Sequence, residues 1–202
     1  AVDSDGVVIR CSPRLLLDCD AQRLLLPTTW GTPSRIAFYL GNLYVLDQAT
    51  SQIWRFTPTA GRYASQPTPY FIEIQPDLST AVDIAIDSDG AVYVLFADGT
   101  LSKYLSGEPQ TFGFAAFPEG LELNNAYSMY LDNNPVSRTI YIVDQSSRSI
   151  YETTFSGNFV ALYRASDESR FTLLSHIAAD PGQGLIYAVS GNALLLFDMG
   201  TP

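Results

Sequence analysis

Short apolar runs rich in Val, Ile, Tyr and Phe alternate along the whole chain with turns built from Gly, Asp, Asn, Ser or Pro. Runs of this length, bounded this way, predict strands and tight turns, and helical periodicity is almost absent. The stretch 81-AVDIAIDSDGAVYVLFADGTLSKYL-105 shows the design once. Three apolar runs are separated by Asp-Gly pairs at 89–90 and 98–99, which suit the positive dihedral angles of hairpin turns.

The design recurs. Aligning "apolar run, turn, apolar-Tyr-apolar, turn, apolar run" matches 36-IAFYLGNLYVLDQATSQIWRF-56, 84-IAIDSDGAVYVLFADGTLSKY-104, 129-MYLDNNPVSRTIYIVDQSSRSIY-151 and 177-IAADPGQGLIYAVSGNALLLF-197. Their tyrosines, Tyr44, Tyr93, Tyr141 and Tyr187, are 49, 48 and 46 residues apart. That period is close to the roughly 40 to 50 residues of a four-stranded propeller blade. Predicted strands are 34–40, 42–47, 52–57 and 70–74, then 81–87, 91–97, 100–105 and 110–116, then 126–131, 139–144, 148–155 and 158–163. The opening residues repeat the Asp-Ser-Asp-Gly turn with a first strand cut to about three residues, and the unit around Tyr187 has three strands.

The expected fold is therefore all-β: a single β-propeller domain over 1–202, of about five four-stranded blades, in units of approximately 1–30, 34–75, 80–118, 125–165 and 172–202. It closes as a small ring or forms an incomplete part of a larger, six-bladed one. An open arc would leave apolar blade faces bare, which a dimer of two arcs would cover. A β-sandwich gives the same strand content but does not account for the constant period.

The units IAIDSDGAVYVLFADGTLSKY and NLYVLDQATSQIWRF resemble NHL-type and related six-bladed propeller repeats, over about four-fifths of the chain. Such propellers serve as interaction modules, sensors, lactonases and lyases, so the resemblance implies a fold far more than an activity. The sequence departs from the pattern at Tyr39-Leu40, where the first strand lacks its terminal Asp, and around Ser190, where the second strand does.

Charge narrows the partners. Asp and Glu number 21 against 11 Lys and Arg, and the net charge of -10 repels phosphate backbones, which argues against nucleic acid. No apolar run is long enough to cross a bilayer as a helix, and the start carries no signal-like segment. A hairpin turning at Ser12-Pro13 would set Cys11 opposite Arg14 and Cys19 opposite Gly6, leaving two buried free thiols. An acidic, loop-rich β-architecture favours an extracytoplasmic domain of a larger bacterial protein over a cytoplasmic one.

In a propeller, equivalent positions on successive inner strands converge at the mouth of the central channel. Counting along the aligned units gives Arg35, Asp83, Ser128 and His176 at one such position, four polar residues in otherwise apolar runs. They are the candidate ligand-binding set. The competing reading is that channel mouths are wet and tolerate polar residues of any kind. His176 is the sole histidine, which rules out a multi-histidine zinc site and leaves an acid–base pair with Asp83 or Asp180 to consider.

The resemblance to lactonase-like propellers implies an alternative, a hydrolase or lyase holding Ca or another divalent cation at Asp83, Asn125 and Asp132, with Asn124 nearby. No glutamate falls at an inner-strand position, and no phosphate loop, nucleophile elbow or Ser-x-Asp-x-Gly-x-Thr-Trp sialidase box occurs. The expectation is a non-enzymatic binding or sensor module without a cofactor, whose partner is a protein or small molecule. The loop 57-TPTAGRYASQPTPY-70, with Trp54, Tyr63 and Tyr70 around it, is a second candidate recognition surface.

Overall fold

A computed structural model describes residues 1–11 and 19–200. Among these, one short 3-10 turn, Glu168–Phe171, is the sole helical element, and the rest of the regular structure is strand. The chain divides into two compact units, residues 1–80 with 106–108 and residues 81–105 with 109–202.

The first unit opens on a two-stranded ribbon, β1 (Val7–Cys11) and β2 (Cys19–Arg23). Its entry is the predicted Asp-Ser-Asp-Gly turn: Val7 N–H donates to Asp3 Oδ1 at 2.7 Å and Gly6 N–H to the Asp3 carbonyl at 3.1 Å. The same turn at Asp87–Gly90 has Ala91 N–H on Asp87 Oδ1 at 2.8 Å and Gly90 N–H on the Asp87 carbonyl at 3.1 Å. The carboxylate holds the amide four residues on, so one tetrapeptide specifies one turn in two places.

The cysteine reading is overturned. Cys11 lies directly opposite Cys19 in the ribbon, both are exposed, and they form a disulfide. The turn placed at Ser12-Pro13 lies outside the described residues; the observed register pairs Cys11 with Cys19 and Val7 with Arg23. This register differs from the expected one at every pairing along the strand, and so changes the facing of both thiols. Cross-linking so short a loop removes roughly 2 to 3 kcal/mol of chain entropy from the unfolded ribbon.

The first unit continues with a four-stranded antiparallel meander, β3 (Pro33–Tyr39), β4 (Asn42–Asp47), β5 (Gln52–Phe56) and β6 (Thr68–Pro69). Leu43, Val45, Trp54 and Phe56 pack from one of its faces against Val8 and Leu24 at the ribbon.

The second unit is a row of three meanders. They are β7 (Ala81–Ile86), β8 (Ala91–Phe96), β9 (Leu101–Leu105) and β10 (Glu108–Gln110); β11 (Ala126–Asp132), β12 (Thr139–Asp144), β13 (Ser149–Thr154) and β14 (Phe159–Tyr163); and β15 (Leu174–Asp180), β16 (Leu185–Ser190) and β17 (Ala193–Asp198). The first strands lie beside one another, β7 next to β11 and β11 next to β15. Met129, Leu131, Ile140, Ile142 and Tyr151 fill the layer between the first two sheets with Tyr93 and Leu95. Tyr141, Val143 and Ile150, on the opposite face of the middle sheet, meet Ala179, Ile186 and Ala188 of the last. The even spacing of apolar positions along each strand thus supplies two layers, because alternate side chains point to opposite faces.

The repeated tyrosines hold one register. Tyr44 sits between Ala37 and Arg55, Tyr93 between Ala85 and Lys103, Tyr141 between Tyr130 and Glu152, and Tyr187 between Ala178 and Leu196. Strands one to three match the expected spans to within two residues. Of the fourth strands, β14 matches the expected 158–163, and the other two do not. Instead of 70–74 and 110–116 there are the stubs β6 and β10, which contain Pro69 and Pro109, and proline gives no N–H to a ladder. The apolar run 110–116 crosses to the next sheet instead: Phe159 N–H donates to the Ala115 carbonyl at 3.0 Å, and Phe117 stacks on Tyr151. Five four-stranded blades are accordingly not what the described residues contain; they form four sheets of three or four strands and one ribbon.

Candidate functional site

Each first strand carries a β-bulge at the same place. The register shifts between Pro33 and Arg35, Ala81 and Asp83, Ala126 and Ser128, and Leu174 and His176. The four residues picked out by alignment are therefore the first to regain pairing after the bulge, opposite Leu46, Leu95, Val143 and Val189. Bulges re-aim side chains at strand ends, so the equivalence is backbone-determined and independent of residue type.

In the first unit Arg35 is half-buried and donates from Nη1 to the Ser34 carbonyl at 2.9 Å. In the second unit the other three lie on the adjacent strands β7, β11 and β15. Asp83 is buried; its Oδ1 accepts from Ile84 N–H at 2.9 Å and its Oδ2 from Met129 N–H at 2.8 Å on the neighbouring first strand. The carboxylate thereby satisfies an amide at an innermost strand edge, where no further ladder is available. Ser128 is buried with no hydrogen-bond partner for its hydroxyl. His176 is exposed, its Nδ1 3.2 Å from Ser175 Oγ and its ring edge-on to Tyr127 at 5.9 Å. Tyr127 immediately precedes Ser128 and was not singled out by the sequence pattern. The three positions thus present a tied carboxylate, an unsatisfied hydroxyl and an accessible imidazole backed by a phenol ring.

The metal set does not converge. Asn125 precedes β11 and Asp132 ends it, and seven residues at about 3.3 Å each put them ~23 Å apart along an extended strand. Asn125 N–H donates to Asp144, while Asp132 accepts from Asn134 N–H and the Ser137 hydroxyl. Among the described residues no group of three or more His, Cys, Asp or Glu side chains is placed to hold an ion.

The aromatic loop patch is likewise used in packing. Trp54 is buried and donates its indole N–H to Asp47 at 3.3 Å, Tyr63 donates to the Gly41 carbonyl at 3.1 Å, and Tyr70 stands edge-on to Tyr44 and Phe71.

Sequence reasoning missed the strongest carboxylate networks. Asp47 ends β4 and accepts from Gly31 N–H at 2.8 Å and Thr32 N–H at 2.9 Å. Asp144 ends β12 and accepts from Asn124 and Asn125 N–H, Ser147 N–H and the Ser146 and Ser147 hydroxyls, at 2.6 to 2.9 Å. Both are fully buried clamps that fasten the chain entering a sheet to the end of its second strand. Burial alone would raise the Asp144 pKa, but the hydrogen bonds outweigh it and hold the carboxyl below its ordinary value. The shared 47-DQATSQ-52 and 144-DQSSRS-149 was the available signal. Glu152 is the third such group, taking the hydroxyls of Tyr141 at 3.1 Å and Tyr163 at 2.5 Å. Burial, then the Glu152 carboxylate, pushes the Tyr163 hydroxyl far above its usual range.

No family model matches the chain, and no curated protein does. Solved structures do. Virginiamycin B lyase from Staphylococcus aureus aligns at TM-score 0.58 and 16% identity, over 92% of this chain and 56% of its own. A YCF48 structure bound to D1 peptide aligns at 0.59 and 9%, over 96% and 58%, and a streptogramin B lyase at 0.59 and 13%, over 98% and 63%. These neighbours are propellers, and alignment over 92 to 98% of this chain decides the architecture. The fold is a β-propeller. The chain spans less than two thirds of the length of each of these three neighbours. At these identities the likeness carries the fold and leaves activity open.

Proposed function

We propose that this chain is a non-enzymatic binding module, one propeller domain of five repeat units of which the first is reduced to a ribbon. Its ligand or protein partner contacts the first-strand series Asp83, Ser128 and His176, with Arg35 at the equivalent position of the first unit. The observation that carries this reading is the buried Ser128 hydroxyl without a partner, one strand away from an accessible imidazole. A buried hydroxyl left unsatisfied costs about 1 to 3 kcal/mol, a cost that an incoming acceptor or donor removes. A peptide or an aromatic small molecule bearing hydrogen-bonding groups fits a hydroxyl, an imidazole and the Tyr127 ring. YCF48, a fold neighbour, is bound to a peptide, which supports a protein or peptide partner.

The alternative is a lactonase-like, metal-dependent hydrolase or lyase. The lyase neighbours favour it, and the separation of Asn125 from Asp132 weighs against it. The exposed Cys11–Cys19 disulfide supports an oxidising, extracytoplasmic setting.

A thermal-shift and calorimetric screen of short peptides and aromatic small molecules tests the module reading. A binder lost in both Ser128→Ala and His176→Ala, with melting temperature held, is the expected result, and binding untouched by either substitution refutes the site. Turnover of a lactone substrate that stops on chelation would establish the enzyme instead.

A further inference from the structure

The β4–β5 and β12–β13 turns share one backbone design. Asp47 pairs with Gln52 and Asp144 with Ser149 across their ends, and the equivalent residues Ser51 and Arg148 stand in the left-handed region at φ +48° and +52°. In the first unit the chain leaving the sheet closes over this turn. Leu78 N–H donates to Ser51 Oγ at 3.1 Å, Gln75 Nε2 to the Thr50 carbonyl at 3.3 Å, and the Gln52 amide holds both the N–H and the carbonyl of Phe71 at 3.0 Å. In the second unit the hydrogen bonds from the leaving chain fall, among the described residues, at the two ends of the turn. Gln145 Nε2 donates to the Leu174 carbonyl at 2.8 Å, and Arg164 Nε donates to Ser149 Oγ at 2.9 Å. A cavity of about 360 Å³ is left there, lined by Ser146, Ser147, Arg148, Arg164, Ala165 and Phe171.

Two of these six residues are cationic and none is acidic, in a chain whose net charge is -10. Arg148 has no hydrogen-bond or ion-pair partner among the described residues, whereas Lys103, Arg138 and Arg170 each stand beside a carboxylate. The bond from Arg164 to the buried Ser149 fixes its planar guanidinium and leaves both Nη groups without a partner among the described residues. Asp144 does not neutralise either arginine, because it is fully buried and already takes three amides and two hydroxyls. Those hydroxyls belong to Ser146 and Ser147. With their single hydrogens on Asp144, the two serine oxygens can offer only lone pairs to anything else.

We propose that this cavity binds the oxyanion of a small hydroxylated molecule, a polyol or sugar phosphate or a sugar acid. Arg148 and Arg164 grip the phosphate or carboxylate, whose oxygens match the guanidinium fork, and ligand hydroxyls donate to the Ser146 and Ser147 oxygens. The volume falls in the range of small-molecule sites, roughly 300 to 1,000 Å³. The turn itself does not require Arg148, since Ser51 takes the same backbone angle in the first unit. The site is built from the middle sheet and the chain leaving it, shares no residue with the first-strand series, and does not rest on the reading above.

Titration calorimetry at low ionic strength with β-glycerophosphate, glucuronate and inorganic phosphate tests it. At least one of the two hydroxylated probes should bind more tightly than inorganic phosphate, and its affinity should fall as sodium chloride is added. Which of the two binds more tightly distinguishes a phosphate from a carboxylate ligand. Arg148→Ser, which installs the residue of the first unit at the same backbone angle, should weaken binding about tenfold with the melting temperature unchanged, and Arg164→Gln by at least as much. Arg62→Ser removes the same charge from an exposed position of the first unit and should leave the affinity unchanged. The proposal is overturned if neither hydroxylated probe binds, or if inorganic phosphate binds as tightly as both. It is overturned equally by an Arg148→Ser variant that binds like the wild type or an Arg62→Ser variant that loses as much affinity.

Discussion

Asp144 and Asp83 are both buried carboxylates in the same unit, and they stand at opposite kinds of position. Asp144 closes a second strand, where its counterpart Asp47 is the same residue making the same bonds to the incoming chain. Asp83 follows a first-strand bulge, where the counterparts are arginine, serine and histidine. Asp47 and Asp144 agree in residue type and in bonds, with Phe96 and Ser190 at that register in the other two sheets, so in two of the four sheets the carboxylate is part of the frame. Where they agree in backbone and differ in side chain, the frame has no requirement to impose and the position is available for recognition. The last sheet sharpens the point: Ser190 fills the clamp position and takes Leu173 N–H at a longer 3.3 Å, keeping one bond of the several.

The largest effect expected is from Asp144→Ala. It orphans the Asn124, Asn125 and Ser147 amides together and should lower unfolding free energy by about 3 to 4 kcal/mol in a denaturant titration. Because the native carboxyl titrates below its unfolded value near 4, its contribution is present above that value. It fades as the pH falls through the lowered native pKa. The wild type should therefore lose stability in acid more steeply than Asp144→Asn, whose acid limb should flatten. Asp47→Ala, with fewer donors to strand, should cost about 2 to 3 kcal/mol by the same measurement.

Asp83→Asn keeps one acceptor oxygen for the two amides it serves and should cost only about 1 to 2 kcal/mol. Ser128→Ala removes a hydroxyl that has no partner, so thermal unfolding should show no loss and a gain of up to about 1 kcal/mol. His176→Ala, exposed and at the edge of Tyr127, should move stability by less than about 0.5 kcal/mol. If the serine and histidine variants unfolded as readily as Asp144→Ala, the distinction between frame and site would fail and the whole series would be structural.

A glycine illustrates how the frame constrains loops. Gly99 turns the β8–β9 hairpin at φ +88°, and a Cβ there would lie 2.2 Å from the Leu123 carbonyl oxygen. The sequence predicted the positive dihedral angle from Asp98-Gly99; only packing of the 121–125 loop over the turn explains why no side chain at all is tolerated.

Repetition made much of this molecule readable from the chain alone. Local chemistry fixed the hairpin turns, since Asp-Ser-Asp-Gly closes the same bonds at residues 3–6 and 87–90. Short apolar runs bounded by turn residues fixed the strands, and the recurring unit aligned Arg35, Asp83, Ser128 and His176 at one post-bulge register. Tertiary structure decided whatever depended on which strand comes to lie beside which. It paired Cys11 with Cys19, sent Phe112–Phe117 to the next sheet and tied Asp83 to Met129. Turns and alternation are set within a few residues of sequence, whereas register, partner choice and the fate of a buried polar group are set by neighbours tens of residues away, whose approach no local pattern encodes.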